Sequence, residues 1–67
     1  MSVARVTEIS STSDKSFEDA LAQGISRAVK TLHNVKGAWV KEQHLKIADD
    51  RIVEYQVNML VTFVLDE

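Results

Sequence analysis

The side chains in this sequence best suited to hold a small molecule are Trp39, Gln56 and His44. An indole offers a flat π surface on which another ring can stack. A primary amide has donors and an acceptor on one short fork, enough to read the polar edge of such a ring. An imidazole can contact a phosphate, and it titrates near neutrality. Each residue also has an ordinary use. Tryptophan anchors subunit interfaces, a glutamine can hydrogen-bond across one, and a lone histidine on a strand is commonly a surface or interface residue. His33 falls just after a helix, where the free carbonyls are a better partner for it than a ligand.

Catalysis finds none of its usual residues. There is no cysteine, no serine in a nucleophile-elbow sequence, no glycine-rich phosphate loop and no carboxylate pair whose spacing suits acid–base work. Binding rather than turnover is therefore expected. Zinc-type spacing is missing as well, because His33 and His44 stand apart and no thiolate is available. Asp49 and Asp50 could offer oxygens to a hard cation, but the acidic spacing and distal glutamate of an EF-hand loop are absent. A calcium site here would have to collect oxygens from several subunits. The same two acids also serve simply to solvate a turn.

With 67 residues the chain reads as a single domain, residues 1–67, that cannot bury much by itself. A domain of this size hides only about 60% of the surface its unfolded chain exposes, and it usually needs a disulfide, a metal or a partner subunit. The missing cysteine removes the first and the histidine spacing argues against the second, so self-association is expected. Eight basic and ten acidic residues give a net charge of −2, spread along the chain, which makes nucleic acid an unsuitable partner. Met1 to Val6 lacks the apolar core of a signal peptide, and no segment approaches the roughly 20 apolar residues of a membrane span. With the absence of cysteine, these features point to a soluble cytoplasmic protein.

The elements that position the candidate residues follow from periodicity. Residues 2–9 are rich in β-formers and read as a short strand, ending in the polar run Ser10 to Asp14, which reads as a loop. From Phe17 the period becomes helical, with Leu21, Ile25, Ala28 and Leu32 on one stripe widened by Ala20 and Gly24. Ser16 is placed to cap that helix, and Glu18, Asp19 and Lys30 complement its dipole. Gly24 costs up to about 1 kcal/mol against alanine inside a helix, so something, most simply a strand, must approach closely there. His33 to Gly37 closes the helix, Ala38 to Ile47 reads as a second strand, and Ala48 to Arg51 as a turn. Ile52 to Leu65 alternates most clearly: Tyr55, Val57, Met59, Val61, Phe63 and Leu65 face the helix, and Gln56, Asn58, Leu60, Thr62 and Val64 face away. Trp39 joins the second face if Val40 points inward. Leu60, Val64 and a tryptophan are more apolar surface than a sheet this small leaves in water, so that face is expected to meet other subunits.

The opening VARVTEISSTS, the helix SFEDALAQGISRAVKTL and the closing VEYQVNMLVTFVLDE, in this order and spacing, resemble the dodecins over nearly the whole chain. The resemblance implies an α+β fold, β-α-β-β, with a three-stranded antiparallel sheet curled around one helix. It also implies a hollow homododecamer that holds flavin (FMN or riboflavin) at subunit contacts, for storage or sequestration. In flavin-binding members a tryptophan stacks on the isoalloxazine ring and a glutamine on the last strand bonds its edge. Gln56 matches the glutamine. The stacking position falls on Gly37, two residues before Trp39. A two-residue step keeps the face of a strand but moves the side chain about 7 Å along it. Many bacterial members carry an arginine where this chain has His44, and some carry another at Val64. The segment GAWVKEQ is similar to the calcium dodecins, a subgroup without the stacking tryptophan. The alternative is thus a dodecin-like shell that holds calcium, another small ligand or none.

Overall fold

A computed structural model describes residues 3–65 of the chain. Four elements follow one another: β1 (Ala4–Ser13), α1 (Phe17–Thr31), β2 (Val35–Ala48) and β3 (Arg51–Val64). They form an antiparallel sheet in the order β1-β3-β2. The most regularly alternating segment is therefore the central strand, paired on both sides, with α1 across one face.

The first strand is longer than its composition suggests. Ser10 to Ser13, expected as a loop, stay in register opposite Asn58 to Tyr55. Pairing with a central strand outweighs the weak intrinsic strand preference of serine. Ser2, at the start of the expected strand, lies outside the described residues. Past the end of β1, hydroxyls organise the turn into α1. The Ser13 hydroxyl accepts from Lys15 N at 2.9 Å and donates to Asp19 Oδ2 at 2.6 Å. Ser16 is the N-cap, its Oγ accepting from Asp19 N at 2.9 Å. Gln23 Nε2 donates to the same Asp19 oxygen at 2.6 Å. The Ser13 hydrogen bond, followed by those of Gln23 and the charge of Lys15, holds the Asp19 carboxyl below its ordinary pKa of 3.8, against a smaller opposing effect of desolvation.

The centre line of the helix is built from small residues. Ala20, Gly24 and Ala28 are the buried positions of α1, while Phe17, Leu21, Ile25 and Leu32 are only partly buried and straddle that line. They meet Val57, Met59 and Val61 of β3, which are wholly buried. The expected strand neighbour of Gly24 is real: a Cβ there would lie 2.7 Å from Met59 Cε and 3.1 Å from Ser11 Cβ. At the rim of the core, Phe17 sets its ring edge against Tyr55, with centroids 5.2 Å apart.

After α1 the chain turns at Asn34, whose φ is 59°, and strand pairing begins at Val35 rather than Ala38. Gly37 adopts no positive φ and is a strand residue, so Asn34 alone supplies the left-handed step. The β2–β3 hairpin closes through Asp49 and Asp50, both left-handed at φ 53° and 61°, the geometry of a two-residue type I′ turn. Ala48 and Arg51, assigned from sequence to the turn, are already paired.

The helix covers the β1 and β3 half of the sheet, and every residue of β2 after Val35 is exposed. The radius of gyration is 13.9 Å and the long axis 52 Å, against roughly 11 Å for a compact domain of this length. Ile47 is 65% exposed, and Val40, Leu45, Ile52 and Val53 are exposed as well. Among the described residues no helix is long and apolar enough to cross a membrane.

Candidate functional site

Opposed residues of an antiparallel pair share a face, so the register shows what lies on the side of the sheet away from α1. Trp39 stands opposite Leu60, and Val40 opposite the buried Met59. Trp39 is therefore on the outer face, where it is 51% exposed. Gly37, opposite Thr62, is on the same face.

Simple alternation along β2 would send Glu42 and His44 to the helix side. A register shift between Val40 and Glu42 prevents this. With Lys41 as the extra residue, Glu42 comes opposite Asn58 and His44 opposite Gln56. A bulge of this kind re-aims every residue that follows it. Composition gives no sign of it, because Lys41 is neither glycine nor proline, so the sequence alone does not place Glu42 beside Asn58 and Gln56. Lys41 reaches over the central strand to Glu8 of β1, Nζ to Oε1 3.1 Å, with both side chains about half exposed.

Around Gln56 the polar groups form a connected chain. Asn58 Nδ2 donates to Glu42 Oε1 at 2.7 Å. Gln56 Nε2 donates to Asn58 Oδ1 at 3.4 Å and to Ser10 Oγ at 2.8 Å. Beside this chain, Glu42, Gln43, His44, Gln56 and Asn58 line a shallow depression of about 280 Å³. The structure thus brings Gln56 and His44 together and adds Glu42, Asn58 and Ser10 to them. It does not bring Trp39 to them. Trp39 faces Leu60, four residues along β3 from Gln56, which is roughly 14 Å at strand rise. Among the described residues no group of three or more His, Cys, Asp or Glu could hold a metal ion, and Asp49 and Asp50 sit at the far tip of the hairpin.

The dodecin family model matches residues 3–66. The chain belongs to the dodecin family. Among solved structures it is similar to the dodecin from Streptomyces davaonensis, at 41% identity and a TM-score of 0.93, covering 98% of this chain and 97% of that one. A single-residue variant of the dodecin from Thermus thermophilus matches at 34% identity and a TM-score of 0.93, covering both chains completely. A calcium dodecin from Mycobacterium tuberculosis, described as calcium chelating with a novel calcium-binding site, matches at 30% identity and a TM-score of 0.83, covering 97% of this chain and 93% of that one. No curated protein gives a significant match. The β-α-β-β topology with its three-stranded antiparallel sheet and single helix is the dodecin fold.

Proposed function

We propose that this dodecin is a binding protein rather than an enzyme, a cytoplasmic homododecamer that stores or sequesters a flavin, FMN or riboflavin, in sites completed only where subunits meet. The observation that carries this reading is the division of labour on the outer face. A half-exposed indole and an edge-reading amide share that face about 14 Å apart along the sheet. Two copies meeting through their outer faces can enclose a flat ligand between them, with Trp39 from one and Gln56 and His44 from the other. Apolar residues exposed on both sides of β2, Trp39 on the outer face and Val40 and Leu45 on the helix side, and the elongated shape supply the reason to assemble. The test is a titration of riboflavin with the purified protein. Its fluorescence should be quenched, Trp39→Ala should abolish the quenching, and Gln56→Ala should weaken binding by about tenfold. Unchanged emission at micromolar protein and ligand would refute the reading.

A second reading is favoured by Gly37 at the stacking position that the resemblance implies, together with the similarity to a calcium dodecin. Here the same shell holds calcium through oxygens gathered from several subunits. A chelator should then lower the melting temperature and added calcium restore it; a melt indifferent to both excludes this version.

A further inference from the structure

The polar chain on the outer face has a direction, and one group sets it. The Glu42 carboxylate can only accept hydrogen bonds. Its 2.7 Å contact must therefore be met by the amide nitrogen of Asn58, and this leaves Asn58 Oδ1 turned toward Gln56. An amide oxygen in that place needs a donor, so Gln56 must present its nitrogen, as it does at 3.4 Å. The second hydrogen of the same nitrogen goes to Ser10 Oγ at 2.8 Å. Both donors of Gln56 are consumed within the chain. What Gln56 can still offer a ligand is its carbonyl oxygen, an acceptor. Ser10, exposed on β1, uses its oxygen to accept from Gln56 and keeps its hydroxyl hydrogen to donate.

We infer that Glu42 is a positioning residue that acts through Asn58 to fix the polarity of Gln56, so that the site selects a ligand edge with an N–H donor beside a carbonyl acceptor, as in a cyclic imide. This rests on the reading of Gln56 as the edge contact for a flat ligand. The isoalloxazine of a flavin has such an edge, with one N–H between two carbonyls. A ring with only acceptors at the same place would set two oxygens against each other and leave a desolvated group unpaired, and sites that read hydrogen bonds discriminate strongly in that situation. Glu42 touches no ligand in this scheme. It removes the alternative orientation of an amide two hydrogen bonds away.

The experiment compares riboflavin with riboflavin methylated at the imide nitrogen, by fluorescence quenching, on protein whose assembly has been checked by size. The unmodified protein should bind the methylated flavin at least about tenfold more weakly. Glu42→Leu removes the obligatory acceptor, and the ratio should fall to within about threefold, mostly through weaker binding of unmodified riboflavin. Asn58→Ala, which deletes the amide through which Glu42 acts, should lower the ratio as well and serves if the leucine variant does not assemble. A ratio that stays at its original value in the assembled variants overturns the inference. Should the protein bind neither flavin, the storage reading fails while the positioning of Gln56 remains measurable. The side-chain amide hydrogens of Gln56 should exchange with solvent about tenfold more slowly than those of a free glutamine amide, and lose that protection in Glu42→Leu. Exchange as fast as a free amide in the ligand-free protein overturns the inference by itself.

Discussion

Gly24 of α1 lies close against the strands beneath it, and Gly24→Ala tests whether that approach shapes the fold. The added methyl carbon would stand 2.7 Å from Met59 Cε and 3.1 Å from Ser11 Cβ, where the optimum between carbons is about 3.5–4.0 Å. Met59 has no exposure, so its terminal methyl has no solvent to retreat into. Overpacking of this order costs about 1–3 kcal/mol, and alanine returns about 1 kcal/mol of helix propensity. The single substitution should thus lie between neutral and about 2 kcal/mol destabilising. The sharper expectation comes from pairing it with Met59→Val, which removes the atom at 2.7 Å. In that background Gly24→Ala should be more favourable by about 1–2 kcal/mol than in the original protein, a coupling well above the few tenths expected of independent sites. Urea unfolding of the four proteins at one protomer concentration measures it, the concentration being fixed because dissociation and unfolding are linked. A gain of about 1 kcal/mol from Gly24→Ala in both backgrounds would show that propensity alone governs the position and would refute the close-packing argument.

Other expectations follow from the cap and from the outer face. Ser16→Ala removes the hydroxyl that accepts from Asp19 N and should cost about 1 kcal/mol of stability in the same urea assay. Because the folded-state pKa of Asp19 is lowered, chiefly by the Ser13 hydroxyl, its contribution is full above the ordinary value of 3.8 and is lost as pH falls through the lower folded value. Asp19→Asn should therefore flatten the acid limb of the stability–pH curve below about pH 4, as denaturation across that range will show. A Cβ at Gly37 would meet nothing within 4 Å in the protomer, so Gly37→Trp should leave the protomer fold intact and, combined with Trp39→Ala, restore riboflavin quenching; an assembled double variant that stays silent would mean that Gly37 does not border the ligand.

Much of this was legible in the residues. The alternation from Ile52 onward identified the core strand and its two faces, because a strand paired on both sides and half-covered by a helix must keep its helix-facing residues apolar. The cap at Ser16 and the tight contact at Gly24 followed from single residue types whose costs are local. The polar end of β1 was misread as a loop, since pairing with β3 is a long-range effect that four small polar residues do not signal. The helix stripe was placed correctly but not its centre, where Ala20, Gly24 and Ala28 let the helix settle onto the sheet. For the candidate site, Trp39 and Gln56 were readable from side-chain chemistry, and their common face from the register. That they stand about 14 Å apart along the sheet, and that Lys41 forms a bulge setting Glu42 opposite Asn58 and His44 opposite Gln56, depend on pairing that no local pattern encodes.

The central claim is that this dodecin completes its flavin sites by assembly. Native mass spectrometry of the protein as purified, and again after incubation with riboflavin, reads subunit number and ligand together. The account predicts a dodecamer that carries or gains flavin-sized increments. A dodecamer that stays bare with excess riboflavin would contradict the flavin site and leave the shell to another ligand, and a monomer would contradict the assembly itself and make the outer face a docking surface for a different protein.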